Sequence, residues 1–387
     1  MSVANLLEGK RICVCGGSGG VGKTTTSAAI ALGMAAQGAK VAVVTIDPAK
    51  RLANALGLEE LENEPRLVAP ERLRSGGLDV RGELWAMMLD PKRTFDELIE
   101  RLAPDRGSAE EILANRVYRE LSTAVAGSQE FTAVSKLYEL DKEYDFDLLV
   151  LDTPPSRNAL DFLDAPGRLT SFLEGRMLKT FVRPTGFGMR ILGRGSGVLA
   201  AGLQRVTGVD LLADLSTFFR LLGGMTEDFR VRAAEVETML TASTTAFVLI
   251  TSAQSEPIDE AIWFRRTLRE SGLPCAGVIV NRVHHDILGS GKRPVPFPRG
   301  DVVAALQAGL SDQLAARVAE NFHDYHVLAR RDEQNIARLA DDGDGQPLML
   351  VPHFDDDVHD VEGLLRVHRY LFASEAERER MIAEVVA

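Results

Sequence analysis

The chain has 387 residues, enough for one large α/β domain with insertions or for two ordinary domains, and 56 acidic against 44 basic residues give a net charge of −12. That balance offers no basic face at the level of composition, so nucleic acid and anionic lipid are not expected partners. Three cysteines without a C-x-x-C pair, no apolar leader, and no uncharged apolar run near the roughly 20 residues that span a bilayer argue for a cytoplasmic protein with no integral membrane segment.

A first strand is expected over Arg11–Cys15. It runs into Gly17-Ser18-Gly19-Gly20-Val21-Gly22-Lys23-Thr24, which fits G-x-x-x-x-G-K-[ST], and a helical pattern follows from Ser27 to Gln37. A loop that curls around phosphate oxygens has no room for side chains at its turns; glycine removes them and frees backbone N–H donors. Lys23 adds a positive charge for binding and catalysis, the Thr24 hydroxyl is a ligand for Mg²⁺, and a helix starting at Thr24-Thr25 turns its positive end toward the anion. The pattern points to a nucleoside triphosphate. Gly17, Gly19 and Gly22 also satisfy the dinucleotide fingerprint G-x-G-x-x-G, with Asp47 as the ribose acid, but that reading leaves Lys23 and Thr24 unused.

Further strands are expected at Lys40–Ile46, Leu84–Leu89, Asp147–Asp152, Thr245–Ser252, Ala276–Asn281 and Pro347–Val351. Most are continuous Val/Ile/Leu runs separated by helical patterns, the signature of a doubly wound, mostly parallel α/β sheet with ligand at the carboxyl ends of its strands. Asp47 ends the second strand, where its carboxylate either orients the attacking water or caps a helix from Pro48 onward. Asp152 ends an apolar strand, where it either holds Mg²⁺ through water or caps the turn Asp152-Thr153-Pro154-Pro155.

Two intervals exceed simple crossovers: a helical insertion of about 91–143 and an apolar helical stretch of about 160–240. The second, with Phe172, Phe181, Phe218, Phe219 and Met225 among many glycines, is either internal core or an adaptable groove for a hydrophobic client. His284 to Arg299 reads as a surface lid or crossover, and Ser374 to Ala387 as a charged helix. The pairs His323 with His326 and His353 with His359 lack the framework of a defined metal site and read as solvated or capping residues.

Together the loop, Asp47-Pro48-Ala49, Asp152-Thr153-Pro154-Pro155 with Leu160-Asp161-Phe162-Leu163, Val280-Asn281-Arg282 and Val351-Pro352 resemble the arsenite-transporting and tail-anchored-protein-targeting ATPase family. The resemblance implies a single P-loop ATPase domain over 1–387 of the signal-recognition and partition class, using ATP with Mg²⁺ and working as a dimer. It implies that Asp47 is the catalytic carboxylate, that Asp152 to Ser156 form the second switch, that Asn281 recognises adenine, that Pro352 belongs to the nucleotide site, and that the stretch after the switch forms a client groove. Three positions depart from the family pattern. Ser18 stands where a second lysine is usual, so either a homodimer or heterodimer partner, such as a paralogue, supplies the cation, or Arg51 or Arg157 does. The zinc-binding C-x-x-C pair and the cysteines for arsenic are missing, which disfavours arsenite pumping, and Asn158 replaces the usual switch histidine. The expected function is therefore a slow ATPase coupled to a hydrophobic client; a nucleotide-binding regulatory subunit with little hydrolysis is the alternative, and a partition-type ATPase is opposed by the acidic charge.

Overall fold

The first strand, β1 (Ile12–Gly16), is buried at every position and alternates between two apolar layers. Cys13 and Cys15 face one, Ile12 and Val14 the other. The same parity divides β2 (Lys40–Thr45), with Val41 and Val43 against Ala42 and Val44, and β5 (Leu148–Asp152), with Leu148 and Val150 against Leu149 and Leu151. A sheet covered on both faces has no polar side to show, and this is why its strands are continuous apolar runs in the sequence.

The computed structural model describes residues 1–47, 49–75, 77–119, 129–153, 211–285, 302–304, 307, 309–343 and 345–386. Pro48, the Pro154–Ser156 part of the second switch, Arg157, Asn158, residues 160–210 of the apolar stretch and 286–299 of the expected lid lie outside them.

Among the described residues the sheet has eight strands in the order β3-β4-β2-β5-β1-β6-β7-β8, completed by β3 (Arg66–Leu67), β4 (Glu83–Met88), β6 (Thr245–Ser252), β7 (Cys275–Val283) and β8 (Leu348–Pro352). All neighbouring pairs are parallel except β3 with β4. The fold is the expected α/β sheet with helices on both sides. The addition is β3, an exposed two-residue edge strand too short to show any period.

Against one face packs α2 (Lys23–Ala36), whose small residues let neighbours come close. A Cβ on Gly33 would lie 2.1 Å from Phe372 Cε2, at the end of α12 (Val361–Phe372), so glycine is what allows that helix to seat here. The other face is covered by α7 (Gln129–Glu143), α9 (Thr226–Thr241), α10 (Ser255–Glu270) and α11 (Asp312–Asp341).

The two intervals that are too long for crossovers share a third core. It joins α5 (Pro91–Leu102) and α6 (Arg106–Ala114) to α8 (Leu211–Gly224) and α9, with Phe95, Tyr118, Phe218 and Phe229 at its centre. The Phe95 ring lies 6.2 Å from Tyr118 and 6.5 Å from Phe229, within the range of favourable aromatic pairing. Asp90 caps α5 by accepting from the Arg93 N–H at 3.0 Å, with Pro91 at the first helical position. Within the described residues, Phe218, Leu222 and Met225 of the apolar stretch are thus buried packing.

Candidate nucleotide site

The glycine loop leaves β1 at the centre of the sheet and delivers the chain into α2. Two of its glycines are required by close approach. Gly17 has φ 155, and a Cβ there would fall 2.0 Å from Ile250 O; Gly22 has φ 93, and its Cβ would fall 2.3 Å from Asn281 Nδ2. From the end of β7, Asn281 Nδ2 donates to Val21 O at 3.0 Å and the Arg282 guanidinium donates to Gly20 O at 3.0 Å. The Arg282 N–H donates to Asn281 Oδ1, also at 3.0 Å, across a left-handed Arg282 backbone with φ 58. Two carbonyls of the loop are thereby tied to β7.

Lys23 is 7 % exposed, and its Nζ donates to Ser18 O at 2.7 Å. Burial lowers its pKa, while the nearby carboxylates of Asp152 and Asp47 pull the other way. Parallel register places Cys15, Asp152 and Thr45 side by side at the carboxyl edge of the sheet. There Asp152 Oδ2 accepts from Thr24 Oγ1 at 2.7 Å and from Thr45 Oγ1 at 2.8 Å. Thr153 Oγ1 donates to Cys15 O at 2.8 Å and holds the start of the next segment against β1. Asp152 is 1 % exposed and its Oδ1 has no partner. Burial pushes its pKa up to about 6, against the two hydroxyl donors and Lys23, which lower it.

This oxygen set fits a divalent cation. Thr24 spends its hydroxyl proton on Asp152, which leaves its lone pairs for a metal, and the orphaned Asp152 Oδ1 can accept from metal-bound water.

Asp47 lies at the end of β2 and is partly exposed. Its Oδ1 accepts from the Ala49 N–H at 2.9 Å, and its Oδ2 is 3.5 Å from Nη1 of Arg51, the first residue of α3 (Arg51–Ala55). A turn-capping bond through Oδ1 and an ion pair through Oδ2 therefore coexist, and the described helix begins at Arg51.

A cavity of about 720 Å³ opens over these groups, of a size that suits a small-molecule ligand. Gly20, Gly22, Lys23, Thr24, Thr25, Asp47 and Asn281 are among its lining residues, and so is Thr153 beside Asp152. Others of the expected site lie apart from it. Gly17 and Ser18 line a narrow crevice on the other side of the loop, beside Trp263 and Phe264. Gly19 is exposed, Val21 is buried behind the loop, and Pro352 is buried at the end of β8. The next residues, His353 and Phe354, reach the cavity in its place, together with Asp356, Asp357 and His359. Sequence reasoning missed this wall and the cavity-facing Arg282; the one available signal was their position just past a strand's carboxyl end, where such folds bind ligands.

The family model described as "Anion-transporting ATPase" matches residues 10–329. The ATPase GET3 of Malassezia globosa is 27 % identical over 292 residues, 75 % of this chain and 78 % of that protein. Mycosarcoma maydis ATPase GET3 is 28 % identical over 174 residues, and Schizosaccharomyces japonicus ATPase get3 is 30 % identical over 167. Those two matches span 44 % and 43 % of this chain and about half of each relative, 48 % and 47 %. With a P-loop on the central strand of a parallel sheet and a family match over most of its length, the chain belongs to the anion-transporting ATPase family.

Proposed function

We propose that this chain is a slow Mg²⁺-dependent ATPase of the cytoplasm, in which ATP binding and hydrolysis open and close a dimer and so control binding of a hydrophobic client or partner. The observation that carries this reading is the junction of Thr24, Thr45 and Asp152, with its orphaned buried oxygen, beside Lys23 on a glycine loop that opens into a large cavity. The loop N–H groups between Gly17 and Thr25 and the Lys23 ammonium bind the phosphates. Thr24 and Asp152 are the residues that would hold magnesium, which when bound supplies positive charge to the phosphate oxygens. Asp47 accepts a hydrogen bond from the attacking water and aligns it with the terminal phosphate. Asn281, His353 and Phe354 wall the remaining part of the cavity, where the nucleoside fits.

Client coupling is supported by the resemblance and by the apolar composition of 160–210; the described helices of the stretch are internal core shared with the 91–143 insertion and carry no part of the groove reading. A second reading, a nucleotide-binding subunit that hydrolyses ATP only beside a paralogous partner, is favoured by Ser18, whose buried Oγ has no partner at a position where the resemblance implies a lysine.

Phosphate release from Mg²⁺-ATP tests both. Slow release by the purified chain, abolished in Lys23→Ala and Asp47→Asn, is the expected outcome; undiminished release in both variants ends the first reading. Tight ATP binding without turnover, relieved only by a lysine- or arginine-bearing partner, selects the second.

A further inference from the structure

Among the described residues, three Lys or Arg side chains line the cavity, and each is engaged differently. Lys23 donates to the Ser18 carbonyl and Arg282 to the Gly20 carbonyl, both within the loop. Arg51 instead faces a carboxylate, with Nη1 3.5 Å from Asp47 Oδ2. Its side chain is 67 % exposed, and so open a pair at that distance is weak and screened. The Asp47 carboxylate, by contrast, is anchored through Oδ1 by the Ala49 N–H, so it keeps its place when the guanidinium leaves. Arg51 is also fixed at its base: it opens α3 immediately after Lys50, whose left-handed backbone (φ 52) sets the direction of entry.

A terminal phosphoryl group carries more charge than a carboxylate and offers two oxygens to the planar fork of a guanidinium. Asp47 is the carboxylate assigned above to the water that attacks this phosphoryl group, so a guanidinium beside it stands at the terminal end of a triphosphate. We propose that Arg51 reads the terminal phosphate of ATP. Its guanidinium passes from Asp47 to the γ-phosphoryl oxygens, and the same exchange frees Asp47 Oδ2 to hold the water. ADP lacks the group that draws Arg51 away, so with ADP the ion pair persists and Asp47 stays engaged. The inference rests on the nucleotide-binding reading above and adds to it a side chain that tells ATP from ADP.

Isothermal titration of the full chain with Mg²⁺ and either ATPγS or ADP separates the two ideas. Arg51→Gln is expected to weaken ATPγS about ten- to hundredfold, the scale of a lost charged hydrogen bond, and to leave ADP within about threefold. Arg51→Lys keeps the charge without the fork and falls between. Asp47→Asn releases Arg51 and tightens ATPγS, and that gain vanishes in the Arg51→Gln/Asp47→Asn double variant. Equal weakening of both nucleotides, no weakening of either, or an Asp47→Asn gain that survives in the double variant overturns the role of Arg51 while nucleotide binding stands. Wild-type protein that binds neither nucleotide overturns the underlying reading as well. Arg51 is a surface side chain, and matching thermal melts confirm that each variant is folded.

Discussion

Replacing Asp152 by Asn should gain stability relative to wild type as pH rises to neutrality while abolishing turnover, because the carboxylate is placed for a cation and carries a pH-dependent penalty without one. Its pKa is pushed up to about 6, against about 3.9 for an ordinary aspartate. An acid whose folded-state pKa is raised contributes its full stability below the unfolded value and loses it as pH climbs through the folded value. The loss therefore runs from about pH 4 to about pH 6 and reaches roughly 3 kcal/mol above that window. Between pH 5 and pH 7.5 the remaining change is about 1.4 kcal/mol. Asn cannot titrate, so this term disappears, whereas the cost of burying an amide where Oδ1 has no partner is the same at every pH. Urea unfolding of wild type and Asp152→Asn at pH 5 and 7.5, in EDTA without nucleotide, isolates the pH-dependent part. The stability difference should move by about 1.4 kcal/mol in favour of Asn as pH rises, and titrating groups that do not interact with Asp152 cancel. Mg²⁺-ATP should reverse the preference, because it stabilises only a chain that binds it. A difference that stays constant with pH, or moves toward wild type, would refute the assignment of Asp152 as an uncompensated buried carboxylate.

Gly22→Ala forces a methyl group to 2.3 Å from Asn281 Nδ2 on a backbone at φ 93; ATP affinity measured by calorimetry should fall tenfold or more, at a cost of about 1–3 kcal/mol. Gly33→Ala drives a Cβ into Phe372 and should lower stability by about 1–3 kcal/mol in urea titration, with the urea slope unchanged. Phe229→Ala empties the centre of the helical core, where the ring is 1 % exposed, and should cost about 3–5 kcal/mol there. Limited proteolysis should then cut α5 and α6 before the sheet; simultaneous loss of both would show that the two cores unfold as one unit.

The main strands were legible because a strand buried on both faces leaves a dense apolar record: Thr245–Ser252 matches its expected bounds, and β1 and β5 begin one residue later than expected. β3 was invisible for the opposite reason, since Arg66 and Leu67 are exposed and pair with a single neighbour. In the site, the loop and the acids at the ends of β2 and β5 were readable from local order, because parallel strands deliver their carboxyl ends to one rim. What local order cannot encode is contact between distant segments. Asn281 and Arg282 grip the carbonyls of Val21 and Gly20 across 260 and 262 positions of chain. His353 and Phe354 likewise reach the cavity through the order of the strands and carry no pattern of their own.

The close seat of Phe372 on Gly33 bolts α12 to α2. One of these helices begins at the glycine loop, and the other follows the 353–359 segment that walls the far side of the cleft. Floor and back wall are thus joined by one closely packed helix pair. In the opening and closing proposed above, displacement is then expected at the opposite lip, where β2 gives way to α3 and Lys50 already bends the backbone left-handed. A cross-link meant to test that proposal belongs at this lip, since one between α2 and α12 would join helices that are already in close contact.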